Sequence, residues 1–230
     1  MECSDCWYWL VSGPGDSALN MALDEALLEA ISQLSRPVLR LYGWNQPAAS
    51  FGYFQHYRDV ERATLLRPLV RRPTGGGLVP HDADWTYSLM FPSRHEWYAL
   101  PAIESYRQVH EWLQASFSRL DIATELAPTA RKSLQGQCFA GYERFDLLWH
   151  GQKIAGAAQR RRRDGLLIQG SVQPPALRLE REDWHRAMWE AARGLFHIEW
   201  EDLPVDAPLK TRAEYLASNK YSRHKYTERR

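Results

Sequence analysis

Three consecutive glycines, Gly75, Gly76 and Gly77, stand in the segment RRPTGGGLVPHD (71–82). Glycine loses more conformational freedom on folding than any other residue, so three in a row within an otherwise apolar segment need a reason. One reading is a tight turn between strands, although two glycines usually suffice for a turn. The other is a loop whose backbone N–H groups converge on an oxyanion or a phosphate.

Charged residues flank the glycines on both sides. Arg71 and Arg72 precede them and could make bidentate contacts to a carboxylate or phosphate, while His81 and Asp82 follow. The segment lacks the G-K-[ST] of a Walker loop, and it does not open a helix with G-x-G-x-x-G. Both nucleotide-loop classes are therefore excluded, and a turn or an oxyanion site remains.

Composition limits the class of protein further. The chain has 230 residues, 44% of them hydrophobic, and a net charge of +1, which predicts one well-packed domain without a field that favours nucleic acid or membrane. It has no apolar run long enough to span a membrane and no secretion signal, so we expect a cytoplasmic protein. Cys3 and Cys6 form a C-x-x-C that precedes any predicted element and lacks a second ligand pair, so no metal site is expected.

Hydrophobic periodicity predicts a mixture of helices and strands. A helix over 16–31, capped by Asp16, carries one apolar stripe. Further helices are predicted over 102–120, 182–195 and 209–219. Strands are predicted over 37–44, 48–54, 67–72 and 84–91, and a three-stranded meander over 145–172 that turns at His150-Gly151 and at 163–165. This order indicates an α+β (mixed α/β) fold.

Lys153 lies in a run of small residues, QKIAGAAQ (152–159). Strand alternation would place Lys153, Ala155 and Ala157 on one face and turn Gly156 to the other. Small residues leave space above a sheet, so a ligand tail could fill that space while its polar head meets the lysine. A solvent-facing lysine on a weak strand explains the same pattern.

Cys138 lies in an irregular segment, 127–144, between glycines. A single cysteine most often behaves as a small hydrophobe, and only its thiolate is a nucleophile. The turn at His150-Gly151 would pair Leu148 with Lys153. The residues between Cys138 and the strand could then fold back over the roughly 10 Å to the lysine. The sequence permits this approach without requiring it.

In this order, five segments resemble the family of lipoate–protein ligases and octanoyltransferases, whose fold is related to the catalytic domain of biotin–protein ligases. They are NMALDEALL (20–28), WNQPAASFGYFQ (44–55), RRPTGGGLVPHD (71–82), GQKIAGAAQRRRRDGLLIQGSV (151–172) and NKYSRHKYTERR (219–230). The third resembles the signature R-R-x-[ST]-G-G-G/R-x-V-x-H-[DE], and the fourth resembles the lysine segment that ends in H-G-[ST]. The resemblance covers nearly the whole chain. It implies one catalytic domain over 1–230, with a mixed sheet flanked by helices and no accessory C-terminal domain.

The resemblance also implies a site for an eight-carbon acyl chain and its activated carbonyl. Lys153 matches the family's essential lysine, which contacts the acyl carbonyl. The implied substrate-binding residues are Arg71, Arg72, Gly75, Gly76, Gly77, His81, Ala155, Gly156, Ala157 and Gly170. The product would be an amide between octanoate or lipoate and a lysine of a lipoyl carrier domain, either in a 2-oxoacid dehydrogenase E2 or in the glycine-cleavage H protein.

The family divides by how the acyl group is activated. Ligases consume ATP with Mg to form an acyl-adenylate, and they usually carry an accessory domain or subunit. Transferases take the acyl group from octanoyl-acyl carrier protein without a cofactor, and one branch uses a cysteine just upstream of the lysine strand. Cys138-Phe139 and the end of the chain after the catalytic domain favour this cysteine branch, which the chain resembles most. Gly77, where that branch more often has arginine, keeps the ATP-dependent alternative open.

The transferase reading gives a mechanistic hypothesis. Lys153 favours the thiolate of Cys138, which attacks the octanoyl thioester, and N–H groups of the glycine loop stabilise the oxyanion. The carrier lysine then attacks the acyl-enzyme while Lys153 shuttles protons. Two residues depart from the family pattern: Gln169 replaces the histidine of H-G-[ST], and Pro80 precedes His81. The glutamine leaves a catalytically silent relative as an alternative.

A non-catalytic binding module is the alternative from another class. Arg160–Arg163 form the basic cluster of the sequence. Four arginines in a turn without a wider basic surface do not favour nucleic-acid binding. The cluster is either a solvated hairpin turn or a contact for the acidic face of a carrier protein.

Overall fold

The computed structural model describes residues 6–131 and 141–230. The strands are β1 (Cys6–Gly15), β2 (Val38–Trp44), β3 (Ala48–Phe51), β4 (Leu69–Arg71), β5 (Val79–His81), β6 (Trp85–Pro92), β7 (Glu125–Leu126), β8 (Leu147–Trp149), β9 (Gln152–Arg161), β10 (Gly165–Val172) and β11 (Glu199–Asp202). The helices are α1 (Ser17–Leu34), α2 (Tyr57–Ala63), α3 (Glu96–Ala99), α4 (Ala102–Ser118), α5 (Arg181–Phe196), α6 (Ala207–Leu216) and α7 (His224–Thr227), with a π-helical turn at Ala217–Tyr221.

Two sheets organise the described part of the chain. The larger runs β11-β1-β2-β6-β10-β9-β8-β7, with parallel pairs at the β1 end and antiparallel pairs from β2 onwards. The smaller runs β4-β3-β5. The fold is therefore a mixed α/β arrangement with a mixed sheet flanked by helices, as the sequence predicts.

Helix α1 covers one face of the large sheet together with α6. The Asp16 carboxylate accepts a hydrogen bond from Leu19 N at 2.9 Å, which confirms the predicted cap. Ala22, Leu23, Ala26 and Leu27 of the predicted stripe are buried against the sheet, together with Met21 and Ile31. Burying each of the leucine, isoleucine and methionine side chains contributes roughly 1.5–3 kcal/mol, which holds the helix on the sheet.

Helices α4 and α5 cover the opposite face with an aromatic-rich core. Trp112 and Trp184 are fully buried there, and the alternate residues of β6, among them Tyr87 and Phe91, point into the same cluster. The predicted alternation of β6 is confirmed. The described residues include no helix long and apolar enough to cross a membrane.

The predicted meander is present as β8, β9 and β10. His150 and Gly151 have φ of 50° and 71°, as a two-residue hairpin turn with two left-handed residues requires. Leu148 pairs with Lys153, as expected. One prediction at the N-terminus is wrong, because Cys6 does not precede the first element but begins β1.

Candidate active site

A cavity of about 1040 Å³ lies between β9 and β10 of the large sheet and the 72–78 loop with its small sheet. This volume is at the upper end of the range for sites that enclose small ligands. The predicted residues on its wall are Arg72, Gly76, Gly77, His81, Lys153, Gly156, Ala157 and Gly170. The glycine loop and the lysine strand therefore face one space, although 75 residues separate them in sequence.

A β-bulge decides which way Lys153 points. Leu148 pairs with Lys153 but Leu147 pairs with Ala155, so β9 carries one extra residue here. Such a bulge reverses the side-chain alternation. Lys153 therefore lies on the cavity side with Gly156, whereas Ala155 is buried in the core. The predicted shared face of Lys153 and Ala155 is wrong for this reason.

The Lys153 ammonium is held by a buried carboxylate. Its Nζ lies 2.6 Å from Oδ2 of Asp146, whose side chain is fully buried, and Glu143 N donates to the same oxygen at 2.7 Å. A Cβ at Gly156 would lie 2.7 Å from Lys153 Nζ. The glycine at 156 therefore leaves the space that the ammonium occupies.

Tyr106 completes the surroundings of Asp146. Its hydroxyl donates a short hydrogen bond to Asp146 Oδ1, and Ala157 N lies 3.4 Å from the same hydroxyl. Burial and the charge of Asp146 raise the pKa of Tyr106 well above its usual value. Among the described residues, Tyr106, Lys153 and the Glu143 N–H all point a donor at Asp146.

Arg72 shapes the glycine loop from inside. Its Nη2 donates to the carbonyl oxygens of Gly75 and Gly77, each at 2.7 Å. Gly76 has a φ of +83°, which favours glycine, and a Cβ there would lie 2.9 Å from Arg72 Nη2. Gly75 is held by this contact and does not reach the cavity wall. The loop conformation therefore depends on both its glycines and the buried guanidinium.

Arg71 does not line the cavity. Its fully buried guanidinium donates twice to the carbonyl of Thr227, at 3.1 and 2.8 Å, and also to the carbonyls of Tyr53 and Gln55. The expected ligand contact of Arg71 is thus replaced by a backbone contact that ties β4 to α7. The reason is that adjacent strand residues point to opposite sides, so only one of the two arginines faces the loop.

His81 is part of a buried hydrogen-bonded chain on the cavity wall. Its Nδ1 lies 2.8 Å from Asp84 Oδ2, and its Nε2 lies 2.8 Å from Ser50 Oγ. The ring stacks on Trp44 with a centroid distance of 3.8 Å. Ser171 Oγ donates to the same Asp84 oxygen at 2.7 Å. The imidazole is therefore oriented on three sides.

Gln169 also lies on the cavity wall and both ends of its amide are used. Nε2 donates to Asp24 Oδ2 at 2.7 Å, and Oε1 accepts from Thr74 Oγ1 at 2.7 Å. Asp24 is in turn paired with Arg40 at 2.6 Å, and both are buried. An amide offers a donor group at one end and an acceptor at the other, as a neutral imidazole does. Gln169 therefore satisfies the hydrogen bonds available at this position.

The other predicted residues have mixed positions. Gly170 borders the cavity, but a Cβ there would lie 2.0 Å from a ring carbon of Tyr87, so core packing also requires this glycine. Ala157 lies on the cavity wall and packs partly against the core. Cys138 falls outside the residues that the structure describes.

The basic cluster Arg160–Arg163 is not one surface patch. Arg160 donates to the carbonyl of Pro73 at 2.9 Å, close to the glycine loop. Arg162 lies 3.0 Å from the buried carboxylate of Glu25. Arg161 donates to the carbonyl of Leu100 at 2.7 Å, so the arginines contact different parts of the structure and do not form one docking site as a group.

Sequence reasoning missed several polar residues of the site, chiefly Asp146, Ser50 and Asp84. Each stands alone between apolar or small residues, as in the sequence FDLLW around Asp146. A single carboxylate in such a setting is almost never fully buried unless it is paired, and this was the available signal. Tyr106 falls in the helix predicted over 102–120, and its contact with Asp146 was missed as well.

Comparison with known proteins places this chain in a family. The family model described as "Lipoyl protein ligase A/B catalytic domain" matches residues 16–173. The chain is 35% identical over 181 residues to octanoyltransferase LipM of Halalkalibacterium halodurans, a match that covers 73% of this chain and 66% of that protein, just under two thirds.

Solved structures show the same fold. A lipoate-protein ligase A bound with ATP superposes with a TM-score of 0.79 at 20% identity, covering 96% of this chain and 98% of the other. A bipartite lipoate protein ligase of Thermoplasma acidophilum, described with its E2 lipoyl domain, gives 0.74 at 20% identity and covers 96% of each chain. The fold is that of these lipoate-protein ligase structures. The chain belongs to the lipoyl protein ligase A/B catalytic domain family.

Proposed function

We propose that this protein is an octanoyltransferase that attaches an octanoyl or lipoyl group to a lysine of lipoyl carrier domains. Octanoyl-acyl carrier protein is the proposed donor, and the carriers are the E2 subunits of 2-oxoacid dehydrogenases or the glycine-cleavage H protein. Supporting this are the match to octanoyltransferase LipM and the E2 lipoyl domain described with a ligase of the same fold.

The observation that carries the proposal is the Lys153–Asp146 pair beside Gly156. It sets one ammonium on the wall of a cavity with small residues further along the same strand, Gly156, Ala157 and Ala158. An acyl chain fits against small residues, and a thioester carbonyl beside the ammonium is polarised as negative charge develops on its oxygen.

This pairing favours a fixed-cation role for Lys153 over the proton shuttle expected from the sequence. Asp146 is fully buried, so removing the charge from Lys153 would leave that carboxylate without its counter-ion. Uncompensated buried charges cost several kcal/mol. Lys153 therefore serves to stabilise the oxyanion and the thiolate.

We assign the nucleophile to Cys138. Its thiolate attacks the octanoyl thioester, the carrier-protein thiol leaves, and an acyl-enzyme forms, which the lysine of the lipoyl domain then cleaves. No cofactor takes part in these steps. The arginine donors near the cavity support this choice over ATP, because Arg71 and Arg72 donate to backbone carbonyls rather than toward a phosphate.

The test is the intact mass of the protein and of a lipoyl domain after incubation with octanoyl-acyl carrier protein. We expect one octanoyl adduct on the protein, lost in Cys138→Ala and kept in Cys6→Ala, the matched cysteine control. An adduct that survives Cys138→Ala would remove the nucleophile role. Release of AMP from octanoate and ATP would favour the ligase instead.

A further inference from the structure

The proposed transfer requires a group that accepts a proton from the incoming lysine. The incoming lysine of a lipoyl domain is an ammonium in neutral solution and cannot attack until it loses a proton. Lys153, held by Asp146 at 2.6 Å, is poorly suited to accept it. Another group on the same cavity wall has to do so.

The hydrogen-bonded series Ser50, His81 and Asp84 has the arrangement of a general base. Asp84 Oδ2 accepts from Nδ1–H of His81, so Nε2 carries the lone pair and faces the Ser50 hydroxyl at 2.8 Å. Ser50 Oγ also lies 3.3 Å from Arg72 Nη1, which donates to it and leaves its proton for His81. The same geometry recurs on unrelated folds. It combines a hydroxyl, acting as nucleophile or as proton relay, with an imidazole and a carboxylate that orients the imidazole.

This hydrogen-bonded series shares its cavity with the Lys153 ammonium. Ser171, which donates to Asp84, is the cross-strand partner of Gly156, and the Cβ position of Gly156 is 2.7 Å from Lys153 Nζ. Directly paired residues on antiparallel strands lie about 5 Å apart. Lys153, His81 and Ser50 line the same cavity, so a carbonyl beside Lys153 lies in the space that the Ser50 hydroxyl borders.

We propose that His81 is the catalytic base of amide formation, acting through the Ser50 hydroxyl, with Asp84 as its positioning residue; this rests on the proposed function. One ammonium proton passes to Ser50 Oγ as the Ser50 proton passes to His81 Nε2. The amine nitrogen attacks the thioester carbon, the C–N bond forms and the C–S bond breaks. The leaving thiolate takes the second N–H proton, and His81 releases the first to solvent.

The charged groups around His81 suit this role. Asp84 and Asp82 lie on its own segment, Arg72 reaches it through Ser50, and Arg181 borders the space on its other side. Asp84 stabilises the imidazolium as it forms. Arg72 is already directed at the glycine-loop carbonyls, so its charge is partly offset.

The test separates the two half-reactions in His81→Gln, which keeps a side-chain donor and loses the titrating ring. Acyl-enzyme formation should stay within about threefold of wild type, while transfer to a lipoyl domain should fall by about 100-fold or more, the usual contribution of a general base. Transfer to hydroxylamine, already uncharged at neutral pH, should be unchanged. Intact acyl-enzyme formation also shows that the variant is folded.

The pH dependence gives a second readout. Free lysine loses its proton near pH 10.4, so raising the pH supplies uncharged amine without a base. The ratio of wild-type to His81→Gln transfer rates should fall by up to tenfold per pH unit between pH 7 and 9. Ser50→Ala should show the same pattern, and His224→Gln, a histidine with a 92% exposed side chain, should show none of it.

Lysine transfer by His81→Gln at the wild-type rate, or equal loss of lysine and hydroxylamine transfer, would overturn the inference. The comparison uses whichever donor supports transfer by the wild type, octanoyl-acyl carrier protein or octanoate with ATP. Failure of the proposed function would instead appear in the wild type, as absence of the Cys138 adduct. If the wild type transfers from neither donor, the base assignment falls with it.

Discussion

The ammonium of Lys153 lies on the wall of the large cavity, 2.6 Å from the fully buried carboxylate of Asp146. The β-bulge turns Lys153 to that side, and Gly156 leaves room for its Nζ. The position of this one positive charge thus depends on a bulge, a glycine and a buried acid, three features spread over eleven residues of sequence.

Asp146→Asn should abolish most of the transfer activity. The variant removes the counter-ion of Lys153 but keeps a side chain of the same size, so the ammonium loses its anchor while the backbone stays in place. We expect a fall in kcat of about 100-fold, on the scale of losing one preorganised charge contact, and a loss of about 2–3 kcal/mol in unfolding free energy. Asp183→Asn, at a half-exposed helix position, is the control. An Asp146→Asn protein with full kcat would show that the pair is only structural.

Gly156→Ala should impair activity with little loss of stability. The added Cβ would meet Lys153 Nζ and Cε at 2.7 Å, and the flexible lysine end can move away more easily than backbone. The ammonium would then leave its position, and we expect kcat to fall at least tenfold, since small misplacements of a catalytic group are costly. In Gly194→Ala, where the new Cβ meets nothing within 4 Å, kcat should not change. Equal kcat values for the two variants would refute the role given to Gly156.

Stability should fall in acid partly because of His110. Burial lowers the pKa of this histidine to about 4, from about 6.5 when exposed. As the pH falls, the unfolded chain therefore takes up a proton on His110 before the folded protein does. The stabilisation is complete above pH 6.5 and is lost as the pH falls toward 4. The difference between these two pKa values corresponds to about 3 kcal/mol of unfolding free energy. Denaturant unfolding of wild type and His110→Gln at pH 7 and pH 4 measures it. Parallel pH dependences in the two proteins would contradict the assignment.

Replacing Gln169 with histidine should preserve the transfer activity, whereas replacing it with leucine should lower the stability. Gln169→His keeps a donor for Asp24 and an acceptor for Thr74, so transfer should remain within about threefold of wild type. Gln169→Leu leaves the Thr74 hydroxyl without its acceptor and removes one of several donors to the Asp24 carboxylate, which costs about 1–3 kcal/mol of unfolding free energy. Gln152→Leu, at an exposed position of the same sheet, controls for the added apolar surface. A Gln169→Leu variant as stable as wild type would show that these hydrogen bonds contribute nothing.

Much of the fold could be predicted because its signals are local. Asp16 caps α1, the alternation in β6 matches one buried face, and the turn at His150-Gly151 fixes the pairing of Leu148 with Lys153. Strand β11 was missed because it is short and polar, and its pairing with β1 joins residues nearly 200 positions apart. Such contacts depend on the tertiary structure rather than on neighbouring residues.

The sequence predicted many of the residues that form the site but not how their side chains are oriented. Lys153 and the glycine loop were placed together through family resemblance, and the cavity brings them together. The orientation of Arg71 and the core position of Ala155 could not be predicted, since the first depends on the carbonyl of Thr227 and the second on a single inserted residue. A bulge shifts every side chain beyond it to the other face and leaves no reliable mark in the sequence.

The most direct test of the account supplies octanoyl-acyl carrier protein, or octanoate with ATP, in parallel to the wild-type protein and a lipoyl domain. The intact mass of that domain is the readout. The account predicts the mass of one octanoyl group on the domain with the carrier-protein donor and none with octanoate and ATP, and loss of the gain in Lys153→Ala. A mass gain that requires ATP, or one that persists in Lys153→Ala, would contradict it.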